Sequence, residues 1–151
     1  MGKLVGRAFN SVRGADARED IFHVLPHGDL PWDYGTTLFA GSDMEERREI
    51  LARLADVFIV VEGGPGTAHE ATVALMRTAV VIPIGRLGGV ARELHRSIRQ
   101  PMLSESSDWN TLSHSIATVG EVVAAVTHIV RVCLPLSAGP VTLRQSRPPK
   151  I

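Results

Sequence analysis

The sequence predicts an α/β protein with a parallel sheet, arranged as a three-layer sandwich. Three short apolar segments, residues 21–25, 57–61 and 80–84, have the length and the valine and isoleucine content of buried strands. Segments with helical periodicity precede, separate and follow them, and such alternation is typical of βαβ units. A glycine-rich turn follows residues 57–61, at the carboxyl end of a strand, which is where open α/β sheets bind ligands.

Composition narrows the class of function. The 151 residues suggest one domain, and 44% hydrophobic with 21% charged residues is typical of globular proteins. A net charge of +0 and a pI of about 7.0 give no broad basic surface, so neither nucleic acid nor a membrane is an expected partner. Cys133 stands alone, which excludes an internal disulfide and favours a cytoplasmic location.

The first part of the chain predicts a helix, a strand and a long loop. The helix ends near Gly14, and its apolar residues share one face: Leu4, Val5, Ala8, Phe9 and Val12. Pro26 closes the strand at 21–25. Residues 27–41 are rich in Gly, Pro, Asp and Thr and so predict a loop.

Later helices are indicated by their start signals. Ser42 with Glu45 predicts a capping box, and Thr118 with Glu121 predicts another, for a helix that ends at about Cys133. Between these, the Gly-Gly pair at 88–89 precedes a further helix, and residues 104–111 are polar and predict a turn. Prolines and scattered charges predict a loose tail at 135–151, after a ligand-binding domain at 1–134.

The stretch from 57 to 70 is the candidate binding site. Five apolar residues in a row predict a strand buried on both faces. The turn EGGPGT at 62–67 follows, and residues 68–76 predict a helix. Glycines let the backbone approach a ligand, and the free N–H groups of a helix's first turn bind anions. The alternative is a tight turn that binds nothing.

Other motifs are absent or incomplete. The chain contains no GxxxxGK[ST] sequence, and His69 replaces the third glycine of a dinucleotide fingerprint. His69-Glu70 matches half of HExxH, but Val73 occupies the position of the second histidine, which excludes that zinc site. We therefore expect no metal and no cofactor.

The charged residues near the turn have structural alternatives. Thr67 and Glu70 match a capping box, worth about 1 kcal/mol of helix stability. Arg47 and Arg48 could form a solvated helix face with nearby acidic residues as partners. Those partners would be Glu45, Glu46 and Glu49.

Three motifs together resemble the SLOG superfamily, whose best-known members are the LONELY GUY phosphoribohydrolases. The chain has MEERR at 44–48, ADVFI at 55–59 and EGGPGTAHE at 62–70. The family carries M-x-x-R-K, A-D-x-F-I and P-G-G-x-G-T-x-x-E with the same separation. Glu62 departs from the family's proline and Arg48 from its lysine, and the resemblance covers roughly residues 1–130.

The resemblance implies a Rossmann-like fold and hydrolysis of an N-glycosidic bond in a nucleoside 5′-monophosphate or related nucleotide. Arg47 and Glu70 would be the catalytic pair, with Glu70 stabilising an oxocarbenium-like ribose or activating water. Arg47 would clamp a phosphate or support the leaving group. The residues implied to hold the ligand's phosphate are Gly63, Gly64, Gly66 and Thr67. A homodimer is also implied.

Two further implications concern another branch and the first strand. VEGGPGTAHEA at 61–71 and VIPIGR at 81–86 resemble the SLOG branch related to the nucleotide-sensing domains of TRPM channels. That likeness implies the alternative of a non-catalytic sensor for an ADP-ribose-like nucleotide. In the family a strand and a glycine loop precede the first helix, and the resemblance implies that both are missing here. The sheet is therefore expected to contain a gap, unfilled or filled from outside this chain.

Overall fold

A computed structural model describes residues 2–13, 20–100 and 103–134. The chain forms an α/β fold of short parallel strands and helices, which confirms the Rossmann-like class. In chain order the elements are α1 (Gly2–Arg13), β1 (Phe22–Leu25), β2 (Thr36–Phe39), α2 (Met44–Leu51), β3 (Val57–Val60), α3 (Pro65–Met76), β4 (Val80–Pro83), a 3-10 turn (Gly85–Leu87), α4 (Gly89–Ser97), α5 (Ser107–Thr111) and α6 (Val119–Cys133).

The described strands form two separate parallel pairs. In one pair β1 runs parallel to β2, with Phe22 opposite Thr36, and in the other β3 runs parallel to β4, with Val57 opposite Val80. A cavity of about 650 Å³ lies between β1 and β3 and is lined by both strands. We call it the inter-sheet cleft.

Each strand pair has its own apolar cluster. The larger cluster surrounds β3 and β4, and its most buried members include Val81, Ile82, Leu112 and Ile129. The smaller cluster consists of Ile21 and Tyr34, with Trp32 packed against them. The described part of the chain therefore has two apolar centres on opposite sides of the inter-sheet cleft.

The long loop predicted at 27–41 is wrong, because it contains β2. Thr36 donates its backbone N–H to Ile21 (2.7 Å) and Ala40 donates to Leu25 (2.8 Å), which extends the ladder beyond both ends of the strand. The strand is only four residues long, and two of them, Thr36 and Thr37, are β-branched. Because turn-forming residues flank the segment on both sides, the sequence pattern did not reveal its preference for a strand.

The prediction that the strand at 57–61 is buried on both faces is also wrong. Only Val60 is buried, and Ile59 is 49% exposed. The described residues place no strand beside β3 on the cleft side, so part of its apolar surface faces the cavity.

Two predictions about polar segments need correction. Residues 104–111 contain a short helix, α5, because the Ser106 hydroxyl accepts a hydrogen bond from Trp109 N (3.1 Å) and the Trp109 ring is buried. Asp43, and not Ser42, caps α2, since its carboxylate accepts from the backbone N–H groups of Glu45 and Glu46 (2.9 Å each).

Ser42 has a different role at the start of α2. Its backbone N–H and its hydroxyl both donate to Glu46 Oε2, at 2.7 and 2.8 Å. These two hydrogen bonds lower the pKa of Glu46. The acidic residue that accepts hydrogen bonds from Ser42 is therefore Glu46, one position later than the Glu45 of the predicted capping box.

The terminal helices agree with their sequence signals. The opening helix is confirmed as α1, and the capping box at α6 is confirmed: Thr118 Oγ1 accepts from Glu121 N (3.2 Å) while Thr118 N donates to Glu121 Oε2 (2.6 Å). These bonds lower the pKa of Glu121. None of the described helices is long and apolar enough to cross a membrane. The tail at 135–151 lies outside the described residues, so the domain boundary stays a prediction.

Candidate functional site

The turn after β3 leads directly into the exposed start of α3. The helix begins at Pro65, with Gly64 as N-cap in extended backbone and no side-chain cap. Ala68 is the first residue whose N–H bonds within the helix, to Gly64 O at 3.1 Å. Within the described ranges, the N–H groups of Gly66 and Thr67 have no partner, and a helix start in this condition binds anions.

This helix start excludes the capping-box interpretation of Thr67 and Glu70. A capping box needs the threonine at the N-cap, but Thr67 lies inside the first turn of α3, and Gly64 is the N-cap. The glycine turn moves the start of the helix three residues earlier than that pattern implied. Both side chains line the inter-sheet cleft instead.

A second glycine turn, Gly88-Gly89 at the start of α4, holds the turn at 62–67 in place by two backbone hydrogen bonds. Val90 N donates to Gly63 O (3.1 Å) and Ala91 N donates to Glu62 O (2.9 Å). A methyl group on Gly89 would lie 2.7 Å from Gly63 O, so only glycine permits this approach. Gly63 and Glu62 have φ angles of +91° and +60°. Proline cannot adopt a positive φ, so the turn requires another residue at position 62.

Arg47 and Glu70, the two candidate catalytic residues, form an ion pair. Arg47 Nη1 lies 2.6 Å from Glu70 Oε1, and Arg47 Nε donates to the backbone oxygen of Val24 at 2.7 Å. The side chains are 18% and 22% exposed. For Arg47 the interpretation as a solvated residue with local acidic partners is wrong, because its side chain crosses from α2 to α3 and β1.

Arg48 is a further cation at this site. A methyl group on Gly66 would lie 2.7 Å from Arg48 Nε, so the half-buried guanidinium packs against the backbone at the start of α3. Within the described ranges, no carboxylate forms an ion pair with it. Sequence reasoning treated Arg48 as a solvated residue or as a replacement for the family's lysine, and did not include it in the site. Its position beside Arg47 in the MEERR motif was the signal that could have identified it.

Comparison with known proteins identifies the family. The model of a family described as "Possible lysine decarboxylase" matches residues 21–122, more than half of the chain. The chain belongs to this family. No curated protein and no solved structure matches significantly.

This lysine decarboxylase-like family is the one to which the LONELY GUY resemblance pointed, so that recognition is confirmed. At family level the match supports a nucleotide-related, phosphoribohydrolase-like function. The matched residues include the MEERR helix start, β3 and the glycine turn. The structure brings the MEERR helix start together with Glu70, which follows the glycine turn in α3.

The wall of the cleft formed by the β1–β2 pair is aromatic, which sequence reasoning missed. His23 is buried, its Nε2 lies 2.8 Å from Tyr34 O, and its ring is 4.2 Å from the Trp32 ring. Both His23 and Trp32 line the cleft. The signal was available in the segment FHVL followed by Trp32, but that tryptophan fell in the predicted loop. Among the described residues, no cluster of three or more His, Cys, Asp or Glu could hold a metal ion.

Proposed function

We propose that this protein hydrolyses the N-glycosidic bond of a nucleoside 5′-monophosphate or a related nucleotide. One observation carries the proposal: the Arg47–Glu70 ion pair and Thr67, at the open start of α3, line the same cavity. An anion-binding helix start beside a positioned carboxylate suits a substrate that has a phosphate at one end and, near it, a ribose whose bond to the base is cleaved.

The phosphate end of the substrate is held by the glycine turn. The N–H groups of Gly64, Gly66 and Thr67 donate to its oxygens, and Gly63 allows the close backbone approach. The Arg48 guanidinium and the positive end of the α3 dipole oppose the negative charge of the phosphate. These groups bind and orient the substrate, and they do not take part in bond breaking.

The reaction takes place at the ribose C1′ atom. The bond from C1′ to the base nitrogen breaks, the oxygen of a water molecule bonds to C1′, and a proton from that water reaches the base. Glu70 uses Oε1 to bind Arg47, and Oε2 has no partner among the residues described. Oε2 can therefore accept the proton of the attacking water or stabilise the positive charge that develops on the ribose. Arg47 holds the carboxylate in place.

The description of the family does not fit the residues of this chain. Decarboxylation of an amino acid by pyridoxal phosphate uses a lysine that forms a Schiff base with the cofactor. The matched residues 21–122 contain no lysine. Hydrolysis of an N-glycosidic bond needs only water and the groups described above.

The second candidate is a sensor that binds an ADP-ribose-like nucleotide without turnover. One observation favours it: Arg47 is bonded to both Glu70 and Val24 O, so the candidate catalytic groups already satisfy each other. In this case the glycine turn binds the ligand, and the ion pair is a structural link between α2 and α3.

The test measures binding and turnover separately. AMP, ADP-ribose and inorganic phosphate are titrated while the amide signals of Gly64, Gly66 and Thr67 are followed by NMR, and base release is measured by chromatography. Glu70→Gln should lower base release by about 10²- to 10⁴-fold and preserve binding. Glu49→Gln is the matched control, because Glu49 is 48% exposed and makes only 3.9 Å contacts.

Each outcome separates the candidates. If ADP-ribose moves the amide signals but no nucleotide loses its base, the enzyme proposal fails and the sensor remains. If none of the three ligands moves these signals, the phosphate site itself is refuted. Arg47→Ala should reduce turnover as much as Glu70→Gln and also weaken phosphate affinity.

A further inference from the structure

A second cavity lies beside α4, apart from the inter-sheet cleft. It has a volume of about 230 Å³ and shares no lining residue with the cleft. Its walls come from the 3-10 turn after β4, from one face of α4 and from the segment that follows α5. We call it the α4 pocket. The side chains that line it are three arginines, a histidine and two serines: Arg86, Arg92, Arg96, His95, Ser113 and Ser115.

The positive charges around the α4 pocket are not compensated. No aspartate or glutamate lines it. Within the described ranges, none of its three arginines forms an ion pair with a carboxylate, although Glu93 lies in the same helix. The carboxylate of Glu121 is bonded to Thr118 and interacts with Arg86 only over a longer distance. In a chain with 16 lysines and arginines and 16 acidic residues, the pocket is therefore a local excess of positive charge.

Two features of α4 make this excess unfavourable without an anion. Arg92 and Arg96 are four positions apart, so they lie on the same helix face, where like charges repel. A methyl group on Gly88 would lie 3.6 Å from Arg92 Nη2, so this guanidinium lies over the start of α4. The helix dipole disfavours a cation at that end. A bound anion would offset both repulsions, which indicates that the pocket holds a negatively charged ligand.

The inner wall of the pocket is fixed by packing. His95 stacks on the buried Trp109 ring, and its Nε2 lies 2.8 Å from Trp109 O. A carbonyl oxygen only accepts, so Nε2 carries a hydrogen. A methyl group on Gly85 would lie 2.9 Å from His95 Cβ, so glycine lets the 3-10 turn approach α4. Arg86 Nη1 donates to Ala117 O. These contacts hold the wall in place without a ligand.

The size and the donors of the pocket fit a phosphoryl group. Guanidinium groups match phosphate oxygens with paired N–H donors, and hydroxyl groups add single donors. A carboxylate would offset only one of the three positive charges, whereas a phosphate monoester carries about two negative charges at neutral pH. The volume of about 230 Å³ is below the roughly 300–1,000 Å³ of pockets that enclose a whole organic ligand. The pocket therefore suits a phosphoryl group and not a complete nucleotide.

We propose that the α4 pocket binds the phosphoryl group of inorganic phosphate or of a small phosphate monoester, at a site separate from the glycine turn. Arg92 and Arg96 bind its oxygens from the exposed rim, and Ser115 adds a hydroxyl donor. Arg86 and His95 form the wall behind it. The proposal does not rest on the proposed function, because the pocket and the cleft have no residue in common.

The test is an NMR titration of the whole protein with inorganic phosphate and, separately, with glycerol 3-phosphate, at an ionic strength held constant with chloride. The Nε–H signals of Arg92 and Arg96 report on the pocket, and the amide signals of Gly64 and Thr67 report on the glycine turn. At least one ligand should shift the arginine signals to saturation. Tighter binding of phosphate identifies the free ion, and tighter binding of glycerol 3-phosphate identifies a phosphorylated small molecule.

Substitutions separate the pocket from the general positive charge of the surface. Arg92→Gln and Arg96→Gln should each weaken binding about tenfold, read from the signal of the remaining arginine, because each removes charged donors to the phosphoryl oxygens. Arg99→Gln is the matched control, because Arg99 is exposed just beyond α4 and does not line the pocket. It removes the same charge and should change the affinity less than twofold. A dispersed amide spectrum checks that each variant is folded.

Three results would overturn the proposal. The first is that neither ligand shifts the arginine signals beyond the effect of chloride. The second is that Arg99→Gln weakens binding as much as Arg92→Gln, which indicates a diffuse positive field. The third is that Gly66→Ala abolishes the arginine shifts, which means that they report only on the glycine turn. If the arginine signals shift and the amides of Gly64 and Thr67 do not, the phosphate site of the proposed function fails while the α4 pocket stands.

Discussion

The Arg47–Glu70 pair should make an asymmetric contribution to stability. Arg47→Met removes the ion pair and also the donor to Val24 O, whereas Glu70→Met removes the ion pair and leaves Arg47 bonded to Val24. With side chains about one-fifth exposed, the pair lies between surface pairs, worth about 0.2–1 kcal/mol, and buried ones, whose disruption costs about 3–5 kcal/mol.

These contacts give the expected magnitudes. Glu70→Met should cost about 1–2 kcal/mol. Arg47→Met should cost roughly 1 kcal/mol more, the net value of the lost hydrogen bond to the Val24 carbonyl. The double variant should cost less than the sum of the single variants, with a coupling energy of about 1–2 kcal/mol. Urea denaturation followed by circular dichroism measures all four free energies of unfolding.

Glu49, in the same helix as Arg47, and Arg53, just beyond the end of that helix, form a matched control pair. Glu49 and Arg53 lie 3.9 Å apart with side chains 48% and 61% exposed, so their double-mutant cycle should give at most about 0.5 kcal/mol. The reasoning is refuted if the coupling energy of Arg47 and Glu70 is no larger than that of the control pair. It is also refuted if Glu70→Met costs as much as Arg47→Met.

Three other substitutions test separate features. Thr78 has a φ of +62° at the end of α3, where its N–H bonds to Leu75 O and Ala79 N bonds to Ala74 O. Because glycine adopts a positive φ without strain, Thr78→Gly should stabilise the protein by about 1 kcal/mol in thermal denaturation. A lower midpoint would contradict this. Gly66→Ala should push away Arg48 and weaken phosphate binding about tenfold in an NMR titration without lowering stability; unchanged affinity would remove Arg48 from the site. The pKa of Glu121 is lowered by hydrogen bonds from Thr118, so its contribution is full above the ordinary value of 4.5 and is lost as pH falls through the lowered folded value. The difference in urea midpoint between wild type and Glu121→Gln should therefore shrink below pH 4.5, and a constant difference would exclude the capping role.

Local sequence signals predicted the elements that depend on local physics. The apolar runs identified β1, β3 and β4, and the Thr118–Glu121 pattern identified the start of α6, because period and capping act within a few residues. β2 was missed because it has only four residues between turn-forming segments, and its pairing with β1 leaves no local pattern. The burial of β3 was overestimated, because an apolar run shows that a strand has side chains to bury. It does not show whether neighbouring strands are present to cover them.

The site depended on information that spacing does not contain. Arg47 and Glu70 are separated by 23 positions, and pattern alone favoured local roles for both. The family resemblance named them, and the structure then placed them 2.6 Å apart. Arg48 was not assigned to the site because a motif records the glycine at position 66 without showing which side chain occupies the space that it leaves.

The two apolar clusters also divide the chain's tryptophans, which has an optical consequence. The chain has two tryptophans, and Trp32 belongs to the cluster beside β1 and faces the cleft. Trp109 is 3% exposed and belongs to the cluster around β3 and β4, where its ring stacks on His95 with 5.0 Å between ring centroids. Each half of the protein thus carries its own fluorophore. Trp32→Phe leaves emission that reports on the β3–β4 half alone, while the emission it removes monitors the polarity of the cleft.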